Sequence, residues 1–133
     1  MKFLNKLLIS IVLLTLLSAF LPGCSNLHKI RANNRHSLNF LSVGMTKQEV
    51  LEVMGTITLQ AIGETITNPY RTEMHRLGGH YFEVILYYTD LKSQGSTITD
   101  DELTPIIMKD GRLDGWGWSY WNNAISKYEV RMR

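Results

Sequence analysis

Met45-Thr46-Lys47-Gln48-Glu49-Val50, residues 45–50, is the stretch from which the fold of this chain can be read. Thr46 followed three residues later by Glu49 has the pattern of a capping box, in which each side chain satisfies a backbone N–H at a helix start. Met45 before the cap and Val50 at the fourth helical position form a hydrophobic staple. Gly55 supplies a C-terminal stop, because glycine tolerates the left-handed backbone that ends a helix. The spacing predicts a helix over Lys47–Met54 with Val50, Leu51 and Met54 facing inward. Upstream, Asn34–Leu41 reads as another short helix with Leu38 and Leu41 on one side.

Downstream the pattern changes to strands. Thr56–Ile62 is rich in Thr and Ile and starts as a strand, and Asn68-Pro69 and Gly78-Gly79 mark turns. Tyr81–Thr89, YFEVILYYT, is a strand from its β-branched and aromatic content. A polar loop over Leu91–Glu102 leads to a second strand, Thr104–Lys109. Asp110-Gly111 is a two-residue hairpin turn, since both central positions need positive φ, and Leu113–Trp121 returns as a third strand. The expected fold is α+β: two short N-terminal helices packed on a three-stranded antiparallel sheet. No internal repeat or low-complexity tract interrupts it.

The hairpin turn sets a register, with Lys109 opposite Arg112 and Met108 opposite Leu113. By strand parity one face then carries Ile106, Met108, Leu113, Gly115, Gly117 and Ser119, joined by Phe82, Val84, Leu86 and Tyr88 as the core. The other face collects Tyr81, Ile85, Tyr87, Ile107, Trp116, Trp118 and Tyr120 beside charged residues near the turn. Exposed, those rings would form a partner surface, because Tyr and Trp are enriched at binding hot spots. Two alternatives would hide them: a bulge at Gly115 or Gly117 turning the tryptophans inward, or Ala124–Met132 folding back over them.

The N-terminus has its own logic. Lys2 and Lys6 precede an uncharged run, Leu7–Leu21, which is the basic and apolar pattern of a secretory signal. As a helix, fifteen residues reach roughly 22 Å, short of the ~30 Å hydrocarbon core. The run ends in Leu21-Pro22-Gly23-Cys24, which resembles the lipobox of bacterial lipoproteins. That resemblance implies cleavage before Cys24, with a diacylglycerol thioether and an N-acyl chain on Cys24 as the only non-protein groups. Several buried acyl chains hold a membrane where a single chain does so only marginally. Removing Lys2 and Lys6 from the fourteen Lys and Arg leaves twelve bases against twelve acids, so the mature chain is formally neutral. Nothing in that balance suggests a nucleic-acid partner. The expected organisation is a signal peptide over 1–23, a lipidated polar tether over 24–36, the folded domain over 37–121, and a C-terminal extension over 122–133.

Val43-Gly44-Met45-Thr46-Lys47-Gln48-Glu49-Val50, ending at Met54-Gly55, resembles the helix motif of the BamE-like (SmpA/OmlA) lipoproteins. Tyr87-Tyr88-Thr89, Thr99–Pro105, Lys109–Leu113 and Gly115-Trp116-Gly117 resemble a related group of proteobacterial lipoproteins. Thr56-Ile57 stand where BamE-like chains usually place a proline, so the resemblance is to the fold, not to BamE itself. It implies two helices on a three-stranded sheet, in a Gram-negative envelope. An Asp after the lipidated cysteine usually signals inner-membrane retention. Ser25 therefore favours the outer membrane, facing the periplasm. The implied function is an interaction module docking on another envelope protein. Two further classes are open: an inhibitor of a hydrolase, since a β-lactamase inhibitory protein shares such a fold, and a binder of lipid or cell-wall material.

No catalytic constellation is visible. The one cysteine is assigned to lipid, and His28 and His36 lie in the tether. His75 and His80, five apart in a Gly-rich loop, match no metal-ligand spacing. Asp100-Asp101-Glu102 lacks the alternating ligand pattern of a calcium loop and reads as solvated acids after a cap at Thr99 or Asp100. The chain is expected not to be an enzyme and to need no cofactor or metal.

Overall fold

A computed structural model describes residues 23–61, 64–91 and 97–129. The expected signal peptide lies outside the described residues except for Gly23. Three α-helices, α1 (Gly23–Ser37), α2 (Lys47–Met54) and α3 (Trp118–Glu129), combine with strands β1 (Ile57–Ala61), β2 (Glu64–Asn68), β3 (Arg71–Leu77), β4 (His80–Tyr88), β5 (Leu103–Lys109) and β6 (Arg112–Trp116). The fold is α+β. The strands form a two-stranded hairpin, β1-β2, and a four-stranded antiparallel sheet in the order β3-β4-β5-β6.

The helix α2 has the expected bounds and cap. Thr46 and Glu49 complete the capping box, and Glu49 accepts from the Thr46 N–H at 2.7 Å. That backbone bond, reinforced by the Thr46 hydroxyl, holds the Glu49 carboxyl below its ordinary range. Val50 and Met54 are buried, whereas Leu51 is only half-buried. The hairpin turn also has the expected form: Asp110 (φ 48°) and Gly111 (φ 83°) both take positive φ, and Met108 pairs with Leu113 and Lys109 with Arg112.

The sheet has four strands, not three. The added strand, β3, reads Arg71-Thr-Glu-Met-His-Arg-Leu77, half-buried and exposed by turns, with no apolar run to mark it. A peripheral strand of this kind buries little, so hydrophobic patterning misses it. Helices cover both faces of the sheet. On one face α1 and α3 bury Ile30, Trp121, Ala124 and Tyr128 against Phe82, Val84, Leu86 and Ile107. Leu59 and Ile66, opposite each other in the β1-β2 hairpin, join that side. On the other face α2 and the segment before it place Val50, Met54 and Leu41 on Ile85, Tyr87, Ile106, Met108 and Leu113.

Residues 24–36, expected as a polar tether, lie within α1. Ile30, Arg31 and Asn34 are buried there at one-turn spacing, so a largely polar helix is held by three inward side chains. The expected helix Asn34–Leu41 is the end of α1 followed by a 3₁₀ turn, Leu38–Phe40. The expected third strand stops at Trp116. Gly117 (φ 91°) then turns the chain into α3, whose inward Trp121, Ala124 and Tyr128 follow helical spacing.

Candidate functional site

The residues expected on one partner surface are divided between the two faces. Ile85, Tyr87 and Trp116 pack against the α2 cluster, while Ile107 and Trp118 belong to the α1–α3 cluster. Ile85, Tyr87 and Ile107 are fully buried. Of the seven, only Tyr81 and Tyr120 are exposed, at 57% and 37%. Three causes account for this correction. β4 pairs Ile85 with Ile106, so Ile85 cannot share a face with Ile107. In β6 the register shifts between Gly115 opposite Ile107 and Leu113 opposite Met108. Asp114 is the extra residue of this bulge, which brings Trp116 onto the Leu113 face. Finally, α3 folds back across the opposite face, where the Trp118 Nε1–H donates to Leu103 O at 2.8 Å and Asp100 O at 3.0 Å. Gly115 sits under that helix. A Cβ there would lie 2.6 Å from the Tyr120 ring, so only glycine permits the approach.

The sheet itself stays open at its β3 side. Thr72, Met74 and Arg76 are exposed on the α2 side, opposite Ile85, Glu83 and Tyr81 respectively. Met74 is 66% exposed, and the Arg76 guanidinium lies 5.2 Å from the centre of the Tyr81 ring. Lys47 of α2 pairs with Glu83. On the opposite side of β3, Glu73 accepts from Arg71 Nε at 2.7 Å and lies 3.3 Å from His75 Nε2. The Arg71 hydrogen bond lowers the pKa of Glu73 against a smaller opposing effect of burial, and the His75 contact lowers it a little further. Arg71 also reaches Asp100 at 2.7 Å, and the His75 ring stands 5.0 Å from Trp121. At the hairpin end, Asp110 takes the Tyr81 N–H at 3.0 Å and lies 2.6 Å from His80 Nδ1. The Tyr81 amide first, and His80 second, pull the Asp110 carboxyl below its usual range. Lys109 donates to the Tyr128 hydroxyl at 2.7 Å.

A buried polar cluster, missed in the sequence, pins α1. Arg31 Nη2 lies 3.3 Å from Glu102 Oε1, with both side chains almost fully buried. Glu102, expected as a solvated acid, caps the 3₁₀ turn Asp100–Glu102 by accepting from Thr99 N at 3.1 Å. Asn34 donates to Asn68 Oδ1 at 2.9 Å and Tyr88 O at 2.7 Å, and Asn68 donates back at 3.1 Å. Arg35 adds a bond to Thr89 O. The available signal was Leu27, Ile30, Arg31 and Asn34 at i, i+3, i+4 and i+7, an inward face half made of polar residues.

These groups are spent on one another. A cleft of about 330 Å³ between α1, α2 and β1 is lined by Ile30, Asn34, Val53, Met54 and Asn68, and its two asparagines are mutually bonded. His75 and His80 point to separate partners, Trp121 and Asp110. Among the described residues no three His, Cys, Asp or Glu side chains gather as a metal site, and no helix is long and apolar enough to cross a membrane. Cys24 and Ser25 fall in the first turn of α1.

No curated protein and no solved structure matches the chain. One family model, described as "Protein of unknown function (DUF3192)", matches residues 17–123. That span takes in well over half of the chain, from inside the apolar N-terminal run to the first turns of α3, and the chain belongs to the DUF3192 family.

Proposed function

We propose that this chain is a lipid-anchored envelope protein, held through Cys24 on the outer membrane and facing the periplasm, whose domain acts as a protein-interaction module. The observation that carries the reading is Leu21-Pro22-Gly23-Cys24 at the end of an uncharged fifteen-residue run. The family match starts at residue 17 and includes that tetrapeptide, which supports treating it as part of the family pattern. Ser25 favours the outer membrane for the reason given above. The architecture is read as a BamE-like arrangement, with α1 and α2 preceding the meander β4-β5-β6 and with β3 and α3 added to it. The reading assigns no catalysis and no cofactor beyond the acyl groups on Cys24. Its interaction surface is the open side of the sheet around Met74 and Tyr81, not the half-buried Trp116 and Trp118.

The test is intact-mass analysis of the protein from membranes, with fractionation of a Cys24→Ser variant. The expected result is a mature chain starting at an acylated Cys24, and loss of the variant from the membrane fraction. A native protein that keeps residues 1–23, or a variant that still fractionates with membranes, would overturn the anchoring. Crosslinking in intact envelopes then reads the second half of the proposal, by capture of a protein through cysteine-directed probes attached to Met74→Cys or Tyr81→Cys variants.

A further inference from the structure

We propose that the outer edge of β3 is a self-pairing edge, on which a second copy of this chain adds its own β3 antiparallel across a two-fold axis at Met74. Among the described residues, β3 is hydrogen-bonded to β4 on one side only. An edge strand leaves alternate N–H and C=O groups pointing outward, a template for another strand. Charges on an edge ordinarily guard it against such pairing. Here their order does the reverse for one register.

Strands related by a two-fold axis normal to the sheet keep their faces, so only registers centred on a residue bring like faces together. Three of these pair five or more residues of β3. Centring on Glu73 sets Glu73 against Glu73 of the second copy, two like charges directly opposite. Centring on His75 sets His75 against its own copy. Centring on Met74 pairs the whole strand. Glu73 then faces His75 of the second copy twice, Thr72 faces Arg76 twice, and Met74 meets Met74. Cross-strand pairs of opposite character stabilise a sheet, and like charges directly opposite destabilise it. The same register covers Met74, which is 66% exposed and lies across the strand pair from Glu83, next to the 57% exposed Tyr81. Charge order and apolar exposure therefore select one occupant and one register. The contact is small beside the roughly 1,200 Å² of a stable soluble dimer. A disulfide between directly opposite residues traps such a transient contact, so the test needs no dimer that persists in solution.

The register makes a specific crosslinking pattern. Directly opposite residues have Cα atoms about 4.5–5.5 Å apart, within the span of a disulfide. In the full-length chain carrying Cys24→Ser, which has no other cysteine, Met74→Cys is expected to form a disulfide dimer under mild oxidation. Thr72→Cys and Arg76→Cys are each expected to stay monomeric alone, because their own copies lie about 14 Å apart along the strand. Mixed together, those two chains are expected to crosslink to each other. Val43→Cys, at a site 68% exposed away from the edge, is the collision control. Met74→Cys crosslinking no faster than Val43→Cys, or Thr72→Cys pairing with itself as readily as with Arg76→Cys, overturns the proposal. An edge that captures a different protein while the Met74→Cys chain stays monomeric overturns it as well.

Discussion

Arg31 and Glu102 are separated by 71 residues in sequence and meet at 3.3 Å in the interior. Taking two charges out of water costs several kcal/mol per ion, which their attraction offsets only in good geometry. Arg31 Nε is buried without a hydrogen-bond partner, so the geometry here is incomplete. Glu102→Ala is expected to cost about 3–5 kcal/mol by stranding the guanidinium, whereas Arg31→Met combined with Glu102→Leu should cost much less than the two single changes added. Urea titration of the three variants measures this, and additive losses would mean the pair is not coupled. The acid run Asp100-Asp101-Glu102 was legible in the sequence, but the partner that makes one of the three buried was not. Tyr87 is a second such residue. Burial raises its phenol to about 12, while in the unfolded chain it titrates near ~10. The unfolded state therefore releases a proton first, and stability is expected to fall as pH rises from about 10 towards 12. Thermal melts across that range should show a shallower fall in Tyr87→Phe, with Tyr120, also raised to about 12 by burial and by its bond to Asp114, keeping part of it. An unchanged slope in Tyr87→Phe would contradict the assignment.

At the scale of elements, legibility followed how local each signal is. The start of α2 and the Asp110-Gly111 turn are specified by residues within four positions of one another, and both took the expected form. Thr46→Ala is expected to cost about 1 kcal/mol through the lost cap, and Val50→Ala roughly 2–4 kcal/mol through the cavity it leaves. A denaturant titration in which the cap change proved the more damaging would reverse that order. Strand parity was correct within the tip of the β5-β6 hairpin, then failed at Asp114, because one extra residue exchanges the faces of everything beyond it. It failed again between β4 and β5, whose register depends on the long connection joining them and not on a tight turn. The aromatic run Trp116–Trp121 carries strand-like composition, yet Trp118, Trp121 and Ile125 also fit one helix face. Composition alone does not decide between the two periods.

For the whole molecule, helices on both faces explain why a chain this small buries so many large side chains from one sheet. Each face has its own cluster, and neither is complete without its helix. A chain ended after Gly117 would uncover Phe82, Val84 and Ile107, and is expected to lose cooperative thermal unfolding; a sharp transition in that truncation would show α3 to be dispensable. The α+β class and the order of the β4-β5-β6 meander were legible, while the covering of both faces was not, because no local pattern states what lies over a sheet. The anchoring of α1 has a mechanical consequence. Leu27 already packs on the domain three residues beyond Cys24, and Ile30, Arg31 and Asn34 follow as buried contacts. A free thirteen-residue spacer would let a domain wander on the order of 20 Å. Helix rise from residue 24 to residue 30 gives only about 9 Å. Were Cys24 acylated as proposed, the domain would have almost no standoff: it would ride against the head groups like a short-legged table, and any protein it met would itself have to come down to the bilayer.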